Sequence, residues 1–243
     1  MDISLPIALI TGAGRATGIG FEVARQLGQR GYRVILTARK HADAQARADE
    51  LKGAGVTTEG LGMDITDPDA MAKVAALLDE RFGRLDVLIN NAATLGRYDE
   101  TATNADLGEV RANFESTLFG AWAVAQAFLP LLRNSAHGRL VNVSSGAGSH
   151  SDPEFGLATA APMPASYGVA KAALNALTVK LARENPGLRV NAVCPGFTAT
   201  FDGGAAMGAR PVADGAASVV WAALLGADGP TGGFFRDGKP LGW

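Results

Sequence analysis

Cysteine and histidine are scarce in this chain. Its 243 residues hold one cysteine, Cys194, and three histidines, His41, His137 and His150. A single cysteine excludes an internal disulfide and suits a reducing compartment. Three scattered histidines show no metal-ligand clustering, so no metal is expected. An excess of one charge is also missing, since 22 basic against 24 acidic side chains leave a net charge of -2. That balance lacks the basic footprint of a nucleic-acid binder. Residues 1–6 carry no basic region, and the apolar run that follows stops at a glycine turn, which fits neither a signal peptide nor a membrane span. The expectation is a soluble, cytoplasmic protein without nucleic-acid or membrane partners.

Apolar residues are what the chain has in quantity. They make up 47% of it, enough to fill a substantial core. They fall in short apolar runs that alternate with helical patterns, the signature of repeated βαβ units on a parallel sheet. The pattern predicts strands at 7–11, 33–38, 56–63, 87–90, 139–143, 189–194 and 233–235. It predicts helices at 18–30, 41–52, 68–82, 107–132, 167–184 and 212–225. Several strands are apolar almost throughout, as strands covered on both faces are. The expected architecture is a single Rossmann-like α/β domain over 1–243, a doubly wound parallel sheet of about seven strands with helices on both faces. Two longer irregular stretches, near 146–165 and 197–210, each follow a strand. Ligands of such sheets bind beyond the carboxyl ends of the strands, so these stretches are placed to shape a substrate pocket.

Tyr167 and Lys171 lie four residues apart in a helix-favouring stretch, which puts both side chains on one helical face. An ammonium beside a phenol favours the phenolate and is expected to draw the tyrosine pKa down toward neutrality. There the hydroxyl can give or take a proton. Taken alone, such a pair is commonly just the edge of an amphipathic helix.

Its neighbours in the sequence add weight. The first strand runs into Thr11-Gly12-Ala13-Gly14-Arg15-Ala16-Thr17-Gly18-Ile19-Gly20, and a helix follows at once. A glycine turn there lets the backbone approach a pyrophosphate seated on the helix N-terminus. The plain alternative is an ordinary strand-to-helix turn. The second strand ends at Arg39-Lys40, with no Asp or Glu between Tyr32 and Lys40. A carboxylate at that place suits a free ribose 2′-hydroxyl, whereas an arginine suits a 2′-phosphate. The polarity points to NADP(H), with Arg15 placed to assist, against the alternative of two solvated charges at a strand end.

Five motifs occur in one order: the glycine loop, Asn90-Asn91-Ala92-Ala93 after the fourth strand, Ser144-Ser145 after the fifth, Tyr167 with Lys171, and Pro195-Gly196 after the sixth. In that order they resemble the short-chain dehydrogenase/reductase family over essentially the full chain. Residues 141–145, the run from Tyr167 to Ala182 and the stretch 228–235 look most like its carbonyl-reductase-type members. The resemblance implies an NADPH-dependent oxidoreductase moving a hydride between the nicotinamide and a small apolar ketone or aldehyde, or the corresponding alcohol. It implies Tyr167 as general acid in reduction and base in oxidation, Lys171 as the group that lowers its pKa and holds the nicotinamide ribose, and Ser145 as donor to the substrate carbonyl oxygen. Gly12, Arg15, Gly18, Ile19 and Gly20 would serve the cofactor phosphates, with Arg39 at the 2′-phosphate. Asp64 would meet the adenine, Asn90 would brace sheet and cofactor with Asn91 beside it, and Pro195, Gly196 and Thr198 would lie at the nicotinamide amide. Physical chemistry agrees, because hydride transfer builds negative charge on the carbonyl oxygen, and a serine hydroxyl with an acidic phenol stabilises it there. The family also permits a homodimer or homotetramer on the long fourth and fifth helices, where Leu118, Trp122 and Phe128 face either the core or a partner.

Two features depart from the family. Five residues, Ala13 to Thr17, stand where it has three, so the loop either bulges with the pyrophosphate contact kept or seats the cofactor differently. Counting back from Gly120, Thr117 occupies the place of an asparagine that holds a proton-relay water in the family, and Asn113 lies one turn earlier on roughly the same face. The threonine holding the water, Asn113 taking over, and slow proton delivery are all consistent with the sequence. These departures motivate a second reading, a weakly catalytic NADP(H)-binding sensor or scaffold of the same fold. Reduction of an activated carbon–carbon double bond is a third. Phe155, Leu157, Met163, Phe197 and Phe201, with Pro153, Pro162 and Pro164, suggest an apolar pocket, or else residues that merely pin the loops. Cys194 is expected to be a small buried apolar filler and His150 a solvated loop residue.

Overall fold

A computed structural model describes residues 5–159 and 163–243; Met1 to Ser4 and Ala160 to Pro162 lie outside the described residues. Eight strands form one sheet: β1 (Ile7–Ile10), β2 (Arg33–Ala38), β3 (Thr58–Gly62), β4 (Val87–Asn90), β5 (Arg139–Val143), β6 (Arg189–Val193), β7 (Phe234–Arg236) and β8 (Lys239–Pro240). Their order is β3-β2-β1-β4-β5-β6-β7-β8. Every pairing is parallel except β7 with β8, where Phe235 faces Pro240 and Arg236 faces Lys239. The doubly wound sheet is thus as the alternating pattern implies. The eighth, antiparallel strand is an addition, too short at two residues to leave a period-2 signal.

Side chains alternate faces along each strand, and both faces are covered. Ile7 and Leu9 enter one core with Ile35, Leu88, Leu140 and Val190. Ala8 and Ile10 enter the other with Val34, Leu36, Ile89 and Val193. The first core is closed by α3 (Pro68–Phe82), α5 (Gly120–Arg133) and α6 (Ala165–Glu184), the second by α1 (Ile19–Gly28), α2 (His41–Gly53) and α7 (Val212–Ala223). Phe128 of α5 has no exposed surface; truncating such a side chain costs about 3–5 kcal/mol. Of its neighbours on α5, Trp122 stays exposed, so the two aromatics face opposite ways.

Helix ends follow their residues. Asp67 caps α3 by accepting from the N–H groups of Asp69 and Ala70 at 2.9 and 3.3 Å, Pro68 starts it, and Gly83 ends it with φ 65°. The helical pattern over 107–132 is not one helix. It divides into α4 (Leu107–Phe114), a π-helical turn (Glu115–Phe119) and α5. Within that turn Thr117 is buried, its hydroxyl donates to Asn113 Oδ1 at 3.1 Å, and it accepts from the Thr94 N–H at 3.4 Å, a contact across the chain. Just beyond, a Cβ on Gly120 would stand 2.8 Å from Ile65 Cδ1 and 3.0 Å from the Ile65 carbonyl oxygen, so a larger residue would crowd that segment. No helix among the described residues is long and apolar enough to cross a membrane.

Candidate active site

The glycine loop is fastened to the segment just after β4, three crossovers later in the chain. The Thr11 hydroxyl accepts from the N–H groups of Asn91 and Ala92 at 3.0 and 3.1 Å, and the Asn91 amide donates to the Thr11 and Gly12 carbonyls at 2.8 and 3.1 Å. Gly12 has φ +67°, and a Cβ on it would come within 2.7 Å of Ala92 Cα, so a side chain is excluded twice over. The two extra residues do not fold back under the loop. The Gly18 N–H donates to Arg15 O at 3.0 Å, closing a turn, and the Arg15 guanidinium reaches out to the Thr200 carbonyl at 2.6 Å, where Thr17 Oγ1 also donates at 3.4 Å. Arg15 therefore contacts the loop after β6.

Gly18, the N-cap of α1, supplies no side-chain cap, so the first-turn N–H groups from Ile19 onward have no capping side chain from that position, an arrangement that suits an anion. A Cβ on Gly20 would sit 2.5 Å from Asn91 Nδ2, which keeps that approach backbone-only. At the end of β2, Arg39 and Lys40 are exposed, and Gly14 lies so close that a Cβ would meet Ala38 Cβ at 2.9 Å. Asp64 is half-buried after β3 and accepts from the Thr66 N–H and hydroxyl at 2.9 and 2.8 Å. Asn90 donates to Ala121 O and Asn142 Oδ1 at 3.0 and 2.9 Å, bridging α5 and β5, while its own Oδ1 is buried without a partner.

Beyond β5, Ser145 caps a short 3-10 turn (Gly146–Gly148), accepting from the Ala147 N–H at 3.2 Å. Its hydroxyl lies near enough to Tyr167, the third residue of α6, to draw the phenol's pKa down somewhat. One turn on, the Lys171 ammonium lies 5.6 Å from the centre of the Tyr167 ring and donates to the Val143 carbonyl at 2.6 Å. The structure thus brings Ser145, Tyr167 and Lys171 together beside the carboxyl ends of β5 and β6. It corrects the expected direction of the tyrosine pKa. Burial pushes the phenol up to about 12, outweighing the lowering influence of the Ser145 hydroxyl, and burial pushes Lys171 down to about 8. Desolvation is the largest cause for both groups, since each charged form would have to be held out of water.

After β6, Gly196 has φ +74°, and the Thr198 hydroxyl donates to the Pro195 and Gly196 carbonyls at 3.1 Å each. That hydroxyl serves its own turn rather than the cleft. Cys194 is buried, but it is more than an apolar filler: its sulfur accepts from the N–H groups of Gly146 and Gly196 at 3.1 and 3.3 Å and from the Arg236 guanidinium at 3.3 Å. Arg236 is also paired with buried Asp152. Burial would raise that carboxyl, but the N–H groups of Phe155 and Glu154 and the guanidinium outweigh it and hold it low. The loop after β5 is thereby fixed to β7. Phe155 meets Phe197, and Phe197 meets Phe201, each pair 6.3 Å apart between ring centres, so one apolar row joins the two loops. Leu157 packs toward Gly168 at the start of α6, and Met163 is half-buried. His150 is exposed, and among the described residues no cluster of three or more ligands could hold a metal.

Thr117 and Asn113 are both buried, but neither contacts Lys171 by a hydrogen bond among the described residues. Asn113 accepts from Thr117, and its amide donates to Ser166 Oγ at 3.3 Å, so it is a link between elements rather than a free relay. Sequence reasoning missed Glu100, which accepts from Ser166, as well as Arg236 and Asp152. Each acts across a long chain separation that no local spacing reveals.

A sequence profile described as short chain dehydrogenase matches residues 6–206. The (+)-neomenthol dehydrogenase of Arabidopsis thaliana is 34% identical, over 94% of this chain and 95% of that protein. A variant of actinorhodin polyketide ketoreductase, solved with NADPH, superposes with a TM-score of 0.83 at 26% identity, covering 97% of each chain. A metagenomic short-chain oxidoreductase in complex with NADP gives 0.77 at 30% identity, covering 95% of this chain and 96% of that one.

Proposed function

The chain belongs to the short chain dehydrogenase family, and from that premise we propose that it is an NADP(H)-dependent reductase of small apolar ketones or aldehydes, with Tyr167 as the proton donor. The observation that carries the reading is the grouping of Ser145, Tyr167 and Lys171, with the Lys171 ammonium 5.6 Å from the centre of the tyrosine ring. When bound, the nicotinamide supplies the hydride.

The chain's own residues do the rest. The amides from Ile19 onward and the loop glycines seat the pyrophosphate, and Arg39 with Lys40 receives a 2′-phosphate. Both structural relatives named above contain NADP or NADPH. Ser145 and Tyr167 converge on one point, where the two hydroxyls hold a carbonyl oxygen and meet its growing negative charge. With its pKa near 12 the phenol is fully protonated at neutrality, the form a reduction consumes. Lys171 stands near enough to stabilise the phenolate left after the proton has gone. The Phe155–Phe197–Phe201 row gives the substrate side of the cleft an apolar wall.

The test is oxidation of NADPH, followed by its absorbance, against a panel of cyclic and open-chain apolar carbonyls, for the wild type and Tyr167→Phe. Loss of the acid is expected to cost about 10²- to 10⁴-fold in kcat while NADPH still binds. Equal rates in the two proteins would remove Tyr167 from the chemistry. Tight NADPH binding with no turnover of any carbonyl would favour the sensor reading. A saturated ketone in place of an alcohol would mark a double-bond reductase.

A further inference from the structure

A buried carboxylate stands at the start of the tyrosine helix, outside the steps above. Glu100 lies between β4 and α4 and is 8% exposed. It accepts from the Ser166 backbone N–H at 2.6 Å and from the Ser166 hydroxyl at 3.1 Å. Helix α6 needs such an acceptor, because its N-cap, Pro164, has no side-chain hydrogen-bonding group. Glu100 provides the cap from 66 residues away, with its charge at the positive end of the helix.

The carboxylate is also the end of a one-way chain of donors. The Thr94 N–H points to the Thr117 hydroxyl, Thr117 to Asn113 Oδ1, the Asn113 amide to Ser166 Oγ, and Ser166 to Glu100. Asn113, Thr117, Ser166 and Glu100 are all buried, and aligned hydrogen bonds of this kind reinforce each other in a low dielectric. Gly96, at φ +84°, folds the segment tightly over the chain: a Cβ there would stand 3.3 Å from Ser166 Oγ and 3.4 Å from Asn113 Nδ2.

We infer that Glu100 is a positioning residue for Tyr167, acting through Ser166. Tyr167 follows Ser166 directly and sits in the first turn of α6, where a helix frays unless its N–H groups are held. Ser145 and Tyr167 stand on different elements, so a loosened first turn moves the phenol away from the serine while Lys171, a full turn deeper, stays packed and bonded to Val143. Misplacement of a reacting group by about 1 Å costs about 10²-fold in rate. The inference rests on the assignment of Tyr167 as the acid.

The experiment compares wild type, Glu100→Ala, Glu100→Gln, Glu100→Asp, Tyr167→Phe and the double variant Glu100→Ala/Tyr167→Phe as full chains, measuring kcat, KM and the NADPH Kd. Glu100→Ala is expected to lower kcat about tenfold with the NADPH Kd unchanged. Glu100→Gln keeps an acceptor for the Ser166 amide and is expected to recover most of the rate. The double variant is expected to be no slower than Tyr167→Phe, because Glu100 acts only through the phenol. Wild-type kcat in Glu100→Ala beside a disabled Tyr167→Phe overturns this inference alone, as does a loss that adds to that of Tyr167→Phe. An active Tyr167→Phe overturns the acid assignment and this inference with it. Should Glu100→Ala fail to fold, Glu100→Asp decides: one methylene shorter, it draws the acceptor back from the Ser166 amide. A kcat about threefold lower at unchanged Kd supports the inference, and an unaltered kcat overturns it.

Discussion

The buried ammonium of Lys171 has a consequence that can be measured without any substrate. Lys171 is 3% exposed, and burial pushes its pKa from 10.5 down to about 8. The unfolded chain keeps the higher value. Between pH 8 and 10.5 the unfolded chain therefore binds a proton that the folded chain has released, and stability rises with pH across that window. At about 1.4 kcal/mol per pH unit, the full gap is worth about 3 kcal/mol. Tyr167 has the opposite sign. Its pKa is raised from 10.0 to about 12, so its contribution is present below pH 10 and lost above it. The range from about 7.5 to 10 thus isolates the lysine.

Replacing Lys171 by Met keeps the stem and removes the titrating group. Wild-type stability relative to Lys171→Met should grow by about 2–3 kcal/mol between those pH values. Near neutrality the variant gains from losing a buried charge and gives back about 1–3 kcal/mol for the Val143 carbonyl deprived of its donor. The assay is urea unfolding of both proteins by circular dichroism at half-unit pH steps. A stability difference that stays flat with pH would mean that the ammonium is not held out of water, and the description of the site would be wrong at its centre.

Two further outcomes are expected. Thr117→Asn should leave kcat equal or raise it, because asparagine can keep the bonds to Asn113 and Thr94; a loss beyond tenfold in steady-state turnover would give the threonine hydroxyl a role of its own. Arg39→Glu should raise the NADPH Kd at least about tenfold and leave NADH binding equal or tighter. Equal weakening of both cofactors in a fluorescence titration would show that Arg39 does not meet the 2′-phosphate.

The parts of the fold written in local periodicity were legible. Apolar runs such as Ile7–Ile10 and Val87–Asn90 are buried at every position, and capping residues such as Asp67 and Gly83 mark α3 to the residue. What escaped local reading is set by contacts across the chain. The π-helical turn holds Thr117, which meets Thr94 across the chain, and a helical pattern carries no sign of that contact. Glu100 is an acidic residue among acidic neighbours until its 66-residue separation from Ser166 is closed by folding. The Tyr167–Lys171 spacing was legible as shared position on one face, but the direction of the phenol's pKa depends on desolvation, which spacing does not report. Cys194 looked inert for the same reason, since its donors come from three separate elements.

The lone sulfhydryl has a practical corollary. Cys194 is 2% exposed and ringed by N–H donors, so maleimide dyes find no accessible native target in the folded enzyme. A cysteine placed at exposed Phe201 or Leu157 would be the single accessible labelling handle on the loop after β6 or the loop after β5. Fluorophores attached there can report loop displacement during turnover, with no background labelling to engineer away.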